Sequence, residues 1–236
     1  MTHVVHPYAQ RLGIIRDWKS RWFTNDKKKY QEYVRTDDAV RTLLSKKLKG
    51  MSIASVEIER DDKVYRIIIQ TSRPGLVIGR SGEGAQQLKK DIDQLMRTLK
   101  LTEKPELKID IEEIRSPESN AAIVAQMVGE GIEKRMPFRR VLKQKAEKVM
   151  ANRVVKGVRI LVGGRLGGAD MARREQIKKG QIPLQTLRAD IDFARERAVL
   201  PYGTIGIKVW IYRGEVFTDR KAGAEDTPAR TNPNAR

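Results

Sequence analysis

The chain contains no cysteine and only two histidines, His3 and His6, which lie three residues apart near its amino terminus. The lack of cysteine excludes a disulfide framework, thiolate metal sites and a cysteine nucleophile. Two histidines without further ligands nearby predict a solvated arm rather than a metal site or a histidine catalyst. The longest unbroken apolar run is the five residues 121–125, whereas a membrane-spanning helix needs about 20. The first residues also lack a basic segment followed by an apolar stretch, so we expect no signal peptide and a cytosolic protein.

What the chain does have is positive charge. Its 236 residues carry 48 Lys and Arg against 30 Asp and Glu, a net charge of +18 with a pI near 10.2. An apolar fraction of 39% still allows one or two packed domains. Such an excess favours a polyanionic partner, either nucleic acid or an anionic membrane. A membrane-surface protein would concentrate its basic residues on one long amphipathic helix, whereas here they are spread over several segments, so we favour nucleic acid.

The first half of the chain predicts an arm followed by a compact α/β unit. Residues 1–36 are polar and irregular and hold Trp18 and Trp22, and we predict an arm (1–36) that packs its aromatic side chains on a neighbouring surface. Apolar spacing predicts a helix over 37–49, capped by Asp37 or Asp38, and then two strands. A glycine-rich loop, a second helix and a third strand follow, and the unit ends near residue 115.

The glycine-rich loop of this unit is Gly79-Arg80-Ser81-Gly82. Glycines let a phosphate backbone approach closely, and the helix that follows presents free N–H groups. The spacing matches neither the dinucleotide fingerprint nor a phosphate-binding P-loop, although a plain start of a helix stays open as the alternative. In this order of elements a GxxG loop is typical of the KH fold, in which it clamps single-stranded nucleic acid.

The second half predicts another α/β unit, over 116–214. Ser116 and Pro117 are predicted to open one helix and Pro137 another. Alternation predicts a strand through residues 158–162, then a short helix after Gly168, then two strands near 184–195 and 204–213. The residues 215–236 are polar with few apolar side chains, and we predict a disordered tail.

A cluster of cations lies in the segment 134–156, which holds nine basic residues and only one acid, Glu147. At 100° per residue, Arg139, Arg140 and Lys143 share one face of the predicted helix, away from its apolar stripe. An ordinary solvated face is the alternative. The near absence of compensating acid favours contact with a nucleic-acid backbone.

Further RNA contacts are predicted more weakly at six residues. A second GxxG, from Gly164 to Gly167, could be either a tight turn or a phosphate contact. The six residues are Arg135, Lys145, Arg165, Arg173, Arg174 and Lys178.

Nothing in the sequence assembles an enzyme site. Asp190 and Asp192 lie two residues apart beside Arg195 and Arg197, which suggests one face of a strand whose acids pair with arginines. Two carboxylates could hold Mg²⁺ for a nuclease, a minor alternative. We expect no catalytic residue, no metal and no cofactor.

Four blocks in order resemble a known family, the third protein of the small ribosomal subunit in its bacterial form. They are RPGLVIGRSG at 73–82, GRLGGA at 164–169, PLQTLRADID at 183–192 and YGTIGIKVWI at 202–211, and the resemblance runs from about residue 6 to residue 215. Members of the family often carry glycine two residues after the proline that matches Pro7, where this chain has Ala9.

The resemblance implies a two-domain α/β (α+β) protein: a type II KH domain at 37–115 and a C-terminal domain at 116–214 with helices on a small, mainly antiparallel sheet. It implies a structural constituent of the head of the small ribosomal subunit in the cytoplasm, bound to small-subunit rRNA. Its implied neighbours are the tenth and fourteenth small-subunit proteins, with the fourth and fifth around the opening through which mRNA enters (the mRNA entrance). The cations that the family places at this opening fall on Arg139, Arg140 and Lys143, where they are implicated in unwinding mRNA. A free RNA-binding regulator with sequence preference is the alternative.

Overall fold

The computed structural model describes residues 5–61, 63–99 and 105–217, which form two α/β units. The first unit follows a short amino-terminal segment that contains helix α1 (Pro7–Gln10) and strand β1 (Ser20–Arg21). Its own elements occur in the order helix, strand, strand, helix, helix, strand. They are α2 (Lys27–Lys47), β2 (Ile53–Arg60), β3 (Val64–Thr71), α3 (Pro74–Ile78), α4 (Glu83–Thr98) and β4 (Glu106–Glu113).

The sheet of the first unit has the order β1-β2-β3-β4, with β2 antiparallel and β4 parallel to β3. Helices α2 and α4 contribute Val40, Leu44 and Ile92 to a core shared with Ile67 and Ile69 of β3. Because β4 returns parallel to β3 through α4, the loop between β3 and α4 lies at one end of the sheet. This is the loop that carries the GxxG.

Helix α2 begins ten residues earlier than predicted. Asp26 caps it by accepting a hydrogen bond from the Lys28 backbone N–H at 2.9 Å, so the expected caps Asp37 and Asp38 lie in mid-helix. The position 36/37, predicted as the boundary between arm and KH domain, therefore falls inside this helix. Polar residues such as Lys and Gln favour helices well without an apolar pattern, so the first turns gave no periodic signal.

The buried carboxylate of Asp37 has a structural role that its sequence position concealed. It accepts hydrogen bonds from Trp22 Nε1 at 2.9 Å, Tyr65 Oη at 3.1 Å and Arg60 Nη2 at 3.4 Å. The Tyr65 ring is fully buried, and burial, followed by the nearby Asp37 carboxylate, raises the pKa of Tyr65. These bonds fix α2 against β2 and β3.

The second unit consists of two helices on one face of a four-stranded antiparallel sheet, in the order β6-β5-β8-β7. Its core joins α5 and α6 to residues such as Val158, Ile160 and Val209 on the covered face. The expected α/β class and the two-unit organisation are confirmed. The elements are α5 (Ala121–Glu133), α6 (Phe138–Met150), β5 (Gly157–Gly164), β6 (Arg173–Gly180), β7 (Ala189–Leu200) and β8 (Gly203–Glu215).

Two predictions for this unit are wrong. The short helix expected after Gly168 is the edge strand β6, because its polar residues pair along the whole of β5 and only Ile177 packs against the core. Pro117 opens only a short 3₁₀ helix (Pro117–Ser119), with Ser116 at its N-cap position, and the α-helix expected there begins at Ala121, since Asn120 Oδ1 accepts from the backbone N–H groups of Ala122 and Ile123. Strand β7 also begins five residues later than expected.

The amino-terminal arm docks on the second unit through a buried arginine, in addition to the packing of Trp22 on the first unit. Arg11 is fully buried and donates to the carbonyl oxygens of Pro7, Leu184, Thr186 and Ala189 at 2.6–3.0 Å. Burial lowers the pKa of Arg11. Trp22 packs on the tyrosines of α2, and Trp18 is 62% exposed.

The predicted tail falls almost entirely outside the described residues. Glu215 ends β8, Val216 and Phe217 are exposed, and residues 218–236 are not described. Among the described residues, no helix is both long and apolar enough to cross a membrane.

Candidate nucleic-acid interface

The exposed face of α6 carries the three cations that the helical wheel selected. Val141, Leu142, Ala146 and Val149 are buried against the second unit, and Arg139, Arg140 and Lys143 are exposed on the other side. This division follows from the 3.6-residue period, which places the three cations within about 100° of one another. The structure therefore brings the predicted residues together on one face.

Arg139 is held by an acid from the neighbouring strand. Its Nε and Nη2 atoms donate to the two carboxylate oxygens of Glu175 on β6, each at 3.1 Å. These hydrogen bonds lower the pKa of Glu175 and raise that of Arg139. Arg173 also lies near Glu175 and over the Phe138 ring. The compensating acid that the segment 134–156 lacks thus comes from β6.

Arg140 and Lys143 differ from Arg139 in this respect. Within the described chain neither side chain takes part in an ion pair, and both are exposed. Glu147, the one acid on the same face, is itself bound by Lys179 Nζ at 3.0 Å. The positive charge of Arg140 and Lys143 is consequently available to a phosphate backbone.

Replacing Glu175 by glutamine tests whether this acid keeps Arg139 and Arg173 from binding RNA. The change removes the partner that occupies Arg139 and Arg173, so we expect binding of a single-stranded RNA to rise roughly two- to fivefold. Fluorescence anisotropy with a labelled oligonucleotide measures the effect. Glu113→Gln, at an exposed position on β4, removes the same charge from the other unit and should change binding less. Equal effects of the two changes would contradict the assignment.

The GxxG loop of the first unit is open and conformationally specialised. Gly79 and Gly82 have φ of +73° and +81°, and Ser81 between them has φ of +52°. Arg80 and Ser81 are exposed, and α4 begins directly after Gly82. The first N–H groups of α4 and the Arg80 guanidinium can therefore approach the same anion.

Gly84 permits the tight packing behind this loop. A Cβ atom there would lie 2.6 Å from the Val77 carbonyl oxygen and 2.9 Å from that of Ile78. The last turn of α3 therefore lies directly against the first turn of α4. Leu76 and Ile78 of α3 remain 54% and 39% exposed beside the loop. These two exposed side chains were not identified from the sequence, because they lie two residues apart in a segment predicted as a loop, and the short helix α3 carries no periodic signal of its own.

The six weaker predicted contacts fall into different environments. Arg135 lies in the α5–α6 connection with φ of +59° and is exposed. Lys145 is half-buried on the packed side of α6, away from the three cations. Arg165 donates to the Ala169 and Tyr202 carbonyl oxygens and to Asp170, which supports the tight-turn interpretation of its loop.

The other three lie on β6, where alternation separates them. Arg173 shares the α6 side with Glu175. Arg174 and Lys178 are paired with Gly163 and Arg159 of β5 and point to the opposite face of the sheet.

Asp190 and Asp192 pair with arginines, although not with the predicted ones. Asp190 contacts Arg16 and Arg213, and Asp192 accepts from Arg213 Nη2 at 3.1 Å. Asp192 also accepts from the Ala121 backbone N–H at 2.8 Å, at the start of α5. Among the described residues no group of three or more His, Cys, Asp or Glu could hold a metal ion. Asp190 and Asp192 therefore hold the arm and α5 on β7. Arg195 and Arg197 form no ion pair with either acid.

Comparison with known proteins agrees with this architecture. A family model described as "KH domain" matches residues 39–119, and one described as "Ribosomal protein S3, C-terminal domain" matches residues 128–211. The chain is similar to curated relatives that carry the name "Small ribosomal subunit protein uS3". The relative from Caldicellulosiruptor bescii is 45% identical over 95% of this chain and 98% of its own length. Those from Clostridium novyi and Hahella chejuensis are 41% and 44% identical, over 96% and 92% of this chain and 99% and 92% of their own lengths. Matches of this extent, together with two units in the expected order, show that the chain belongs to the uS3 family of small-subunit ribosomal proteins.

Proposed function

We propose that this protein binds rRNA in the head of the small ribosomal subunit and lines the mRNA entrance with Arg139, Arg140 and Lys143. At the entrance these cations guide incoming mRNA and help to unwind it. Membership of the uS3 family already makes the chain a structural, non-enzymatic ribosomal protein of the cytoplasm. The position at the entrance and the unwinding role are the proposal.

The observation that supports the proposal most directly is that Arg140 and Lys143 are exposed and unpaired within the described part of the chain. Both are exposed on one face of α6, and among the described residues neither has an acidic partner. Exposed cations without partners attract a phosphate backbone without selecting a sequence. A surface along which every mRNA moves must bind without preference for sequence.

Unwinding requires that the protein favour single strands over a hairpin. Cations fixed on a rigid, packed helix can hold a separated strand by its phosphates as the ribosome advances, which lowers the free energy of the opened state relative to the hairpin. The four buried residues of α6 fix the positions of the cations. Arg139, tied to Glu175, contributes less unless mRNA displaces that acid.

The GxxG loop supports anchoring on rRNA. Gly79, Arg80, Ser81 and Gly82 form an exposed loop at the start of α4, which suits a clamped single-stranded segment. We propose the six further cations, Arg135, Lys145, Arg165, Arg173, Arg174 and Lys178, as additional rRNA contacts. The tenth and fourteenth small-subunit proteins are the proposed neighbours, with the fourth and fifth proteins at the mRNA entrance.

Sedimentation tests the anchoring directly. We expect the full chain to co-sediment quantitatively with small subunits and to remain bound through high-salt washes that remove loosely associated RNA-binding proteins. A large ribosome-free pool at normal expression would contradict the proposal. Selection from a random RNA pool separates it from the free regulator, which alone should enrich one short motif.

A further inference from the structure

The second unit has a sheet face on the side opposite α5 and α6, and this face is open except at one end, where an apolar cluster buries Ile191, Trp210 and Tyr212. In an antiparallel sheet, directly paired residues point to the same face. Arg159 of β5 is paired with both Lys178 of β6 and Trp210 of β8, and Trp210 is paired with Phe193 of β7. None of these four side chains belongs to the core beneath the helices.

Two further rows lie on the same face. Lys208 is paired with Leu161 and with Arg195. In the next row Gly163 and Gly206 occupy the two central strands, with Arg174 and Arg197 at the two edges. Four adjacent strands span about 14 Å at about 4.8 Å per strand, so the cations form a two-dimensional array.

The glycines make this array concave. Neither Gly163 nor Gly206 carries a side chain to fill the centre, and the surface there is a depression of about 1130 Å³. Val5, His6 and Pro7 lie along its rim. The His6 ring packs edge-on against Phe193 at 4.7 Å and remains exposed, as the solvated arm predicts. A ligand backbone can approach the sheet closely at the glycines.

The face carries positive charge that the described protein does not neutralise. Arg174, Lys178, Arg195, Arg197 and Lys208 are exposed, and none of them has an ion pair with an acid among the described residues. Among the described residues that line the depression, the one acid is Glu196. Its strand partner is Ile207 of the core, so it belongs to the helix-covered side of β7.

Two arginines are oriented by aromatic rings. The Arg159 guanidinium lies 4.8 Å from the centre of the Trp210 ring, and that of Arg195 lies 5.3 Å from the centre of Phe193. Arg159 Nε also donates to Gln176 Oε1 at 3.0 Å. Because the guanidinium groups cover the rings, the rings are not platforms for stacked bases. Trp210 Nε1 is buried and has no hydrogen-bond partner among the described residues, so it remains a donor without an acceptor.

We propose that this face, the sheet face of the second unit, is a further RNA-binding surface that holds the sugar–phosphate backbone and does not read bases, an inference that rests on the proposed rRNA contacts of Arg174 and Lys178. It is distinct from the cation face of α6, because Arg174 and Lys178 point away from Glu175 and the helix. Charge complementarity selects a polyanion. The concave floor and the regular spacing of the cations fit a nucleic-acid backbone, which carries a phosphate on every nucleotide. They fit a peptide with scattered acidic side chains less well.

The triple variant R195A/R197A/K208A tests the proposal in the full-length chain. All three residues are exposed, so the fold should be retained, and thermal unfolding verifies it. The matched control K27A/K28A/K46A removes three exposed lysines from α2. The probe is a 20-nucleotide single-stranded RNA of mixed sequence, and its affinity is measured at several salt concentrations.

We expect the triple variant to reduce the slope of log K against log salt by about two, since each lost single-strand contact is worth about 0.7. The control variant should reduce the slope by less than the value of one contact, about 0.7. R195K/R197K/K208R, which keeps the charge, should retain most of the slope. A triple variant that matches the control would overturn the proposal.

Two further measurements locate the effect. Adding R139A/R140A/K143A to the sheet-face variant should lower the slope further, because the two surfaces are separate. If the sheet-face variant leaves the slope unchanged, the sheet face is not an RNA-binding surface, and the assignment of α6 is unaffected. If only R139A/R140A/K143A leaves it unchanged, the assignment of α6 fails and the sheet face remains an RNA-binding surface. A poly-glutamate peptide should compete weakly with the RNA. Equal competition at equal charge concentration would identify a docking surface for acidic protein and contradict the assignment to RNA.

Discussion

Replacing Arg140 and Lys143 together by alanine slows translation through a stable mRNA hairpin several-fold and leaves assembly of the small subunit intact. The expected effect follows from the two side chains themselves. They are exposed and lack acidic partners within the described chain, and they project from a helix that four buried residues hold in place. Their loss removes two cations from the path of the strand without disturbing the core. Single-molecule or toeprinting measurements of the pause at the hairpin measure the result.

The same variant on an mRNA without secondary structure is the essential control. Its elongation rate should remain close to that of the unaltered protein. Arg139→Ala alone should have a smaller effect, since this guanidinium is already bound by Glu175. Lys28→Ala with Lys46→Ala removes the same charge from α2 and should have no effect on the pause. Equal slowing of structured and unstructured mRNA would reject the unwinding role.

Replacing Asp37 by alanine destabilises the first unit by about 3–5 kcal/mol. Asp37 is only 6% exposed, and its carboxylate accepts hydrogen bonds from Trp22, Arg60 and Tyr65. Without it, the Arg60 guanidinium, whose side chain is 4% exposed, loses its buried acidic partner. An uncompensated buried charge is costly, so the loss exceeds the value of the individual hydrogen bonds.

Asp38 provides a matched control one residue along α2. Its side chain is exposed, so Asp38→Ala should change the free energy of unfolding by no more than about 0.5 kcal/mol. Asp37→Asn, which keeps the shape and part of the hydrogen bonding, should lie between the two. Urea-induced unfolding followed by tryptophan fluorescence measures the change, and Trp22 contributes to the signal together with Trp18 and Trp210. A similar stability for the Asp37 and Asp38 variants would show that the buried carboxylate does not hold α2 on the sheet.

The cation face of α6 could be predicted because its signal is local. The buried positions of α6 recur at the helical period, and the three cations fall between them within a single segment. The order of elements around the GxxG loop is local in the same sense, since each helix and strand there has its own pattern. Both features depend on a few consecutive helical turns or strands, and the spacing of apolar residues predicts such local elements reliably.

The features that escaped prediction depend on partners distant in sequence. Glu175 neutralises Arg139 from 36 residues away, and Arg11 reaches carbonyl groups more than 170 residues away. Strand β6 has a polar sequence and owes its conformation to its ladder with β5. The sheet face of the second unit combines single residues from four strands, so no window of sequence contains it. Register and tertiary packing decide all of these, and neither can be read from one segment.

The proposed function places the cations of α6 beside mRNA within the small subunit. A density map of small subunits that contain this chain and a bound mRNA tests it most directly. We expect Arg140 and Lys143 within contact distance of mRNA phosphates on the side where mRNA enters, with α6 folded as Phe138–Met150. A map in which this face of α6 is covered by rRNA or by another protein, away from the mRNA path, would contradict it.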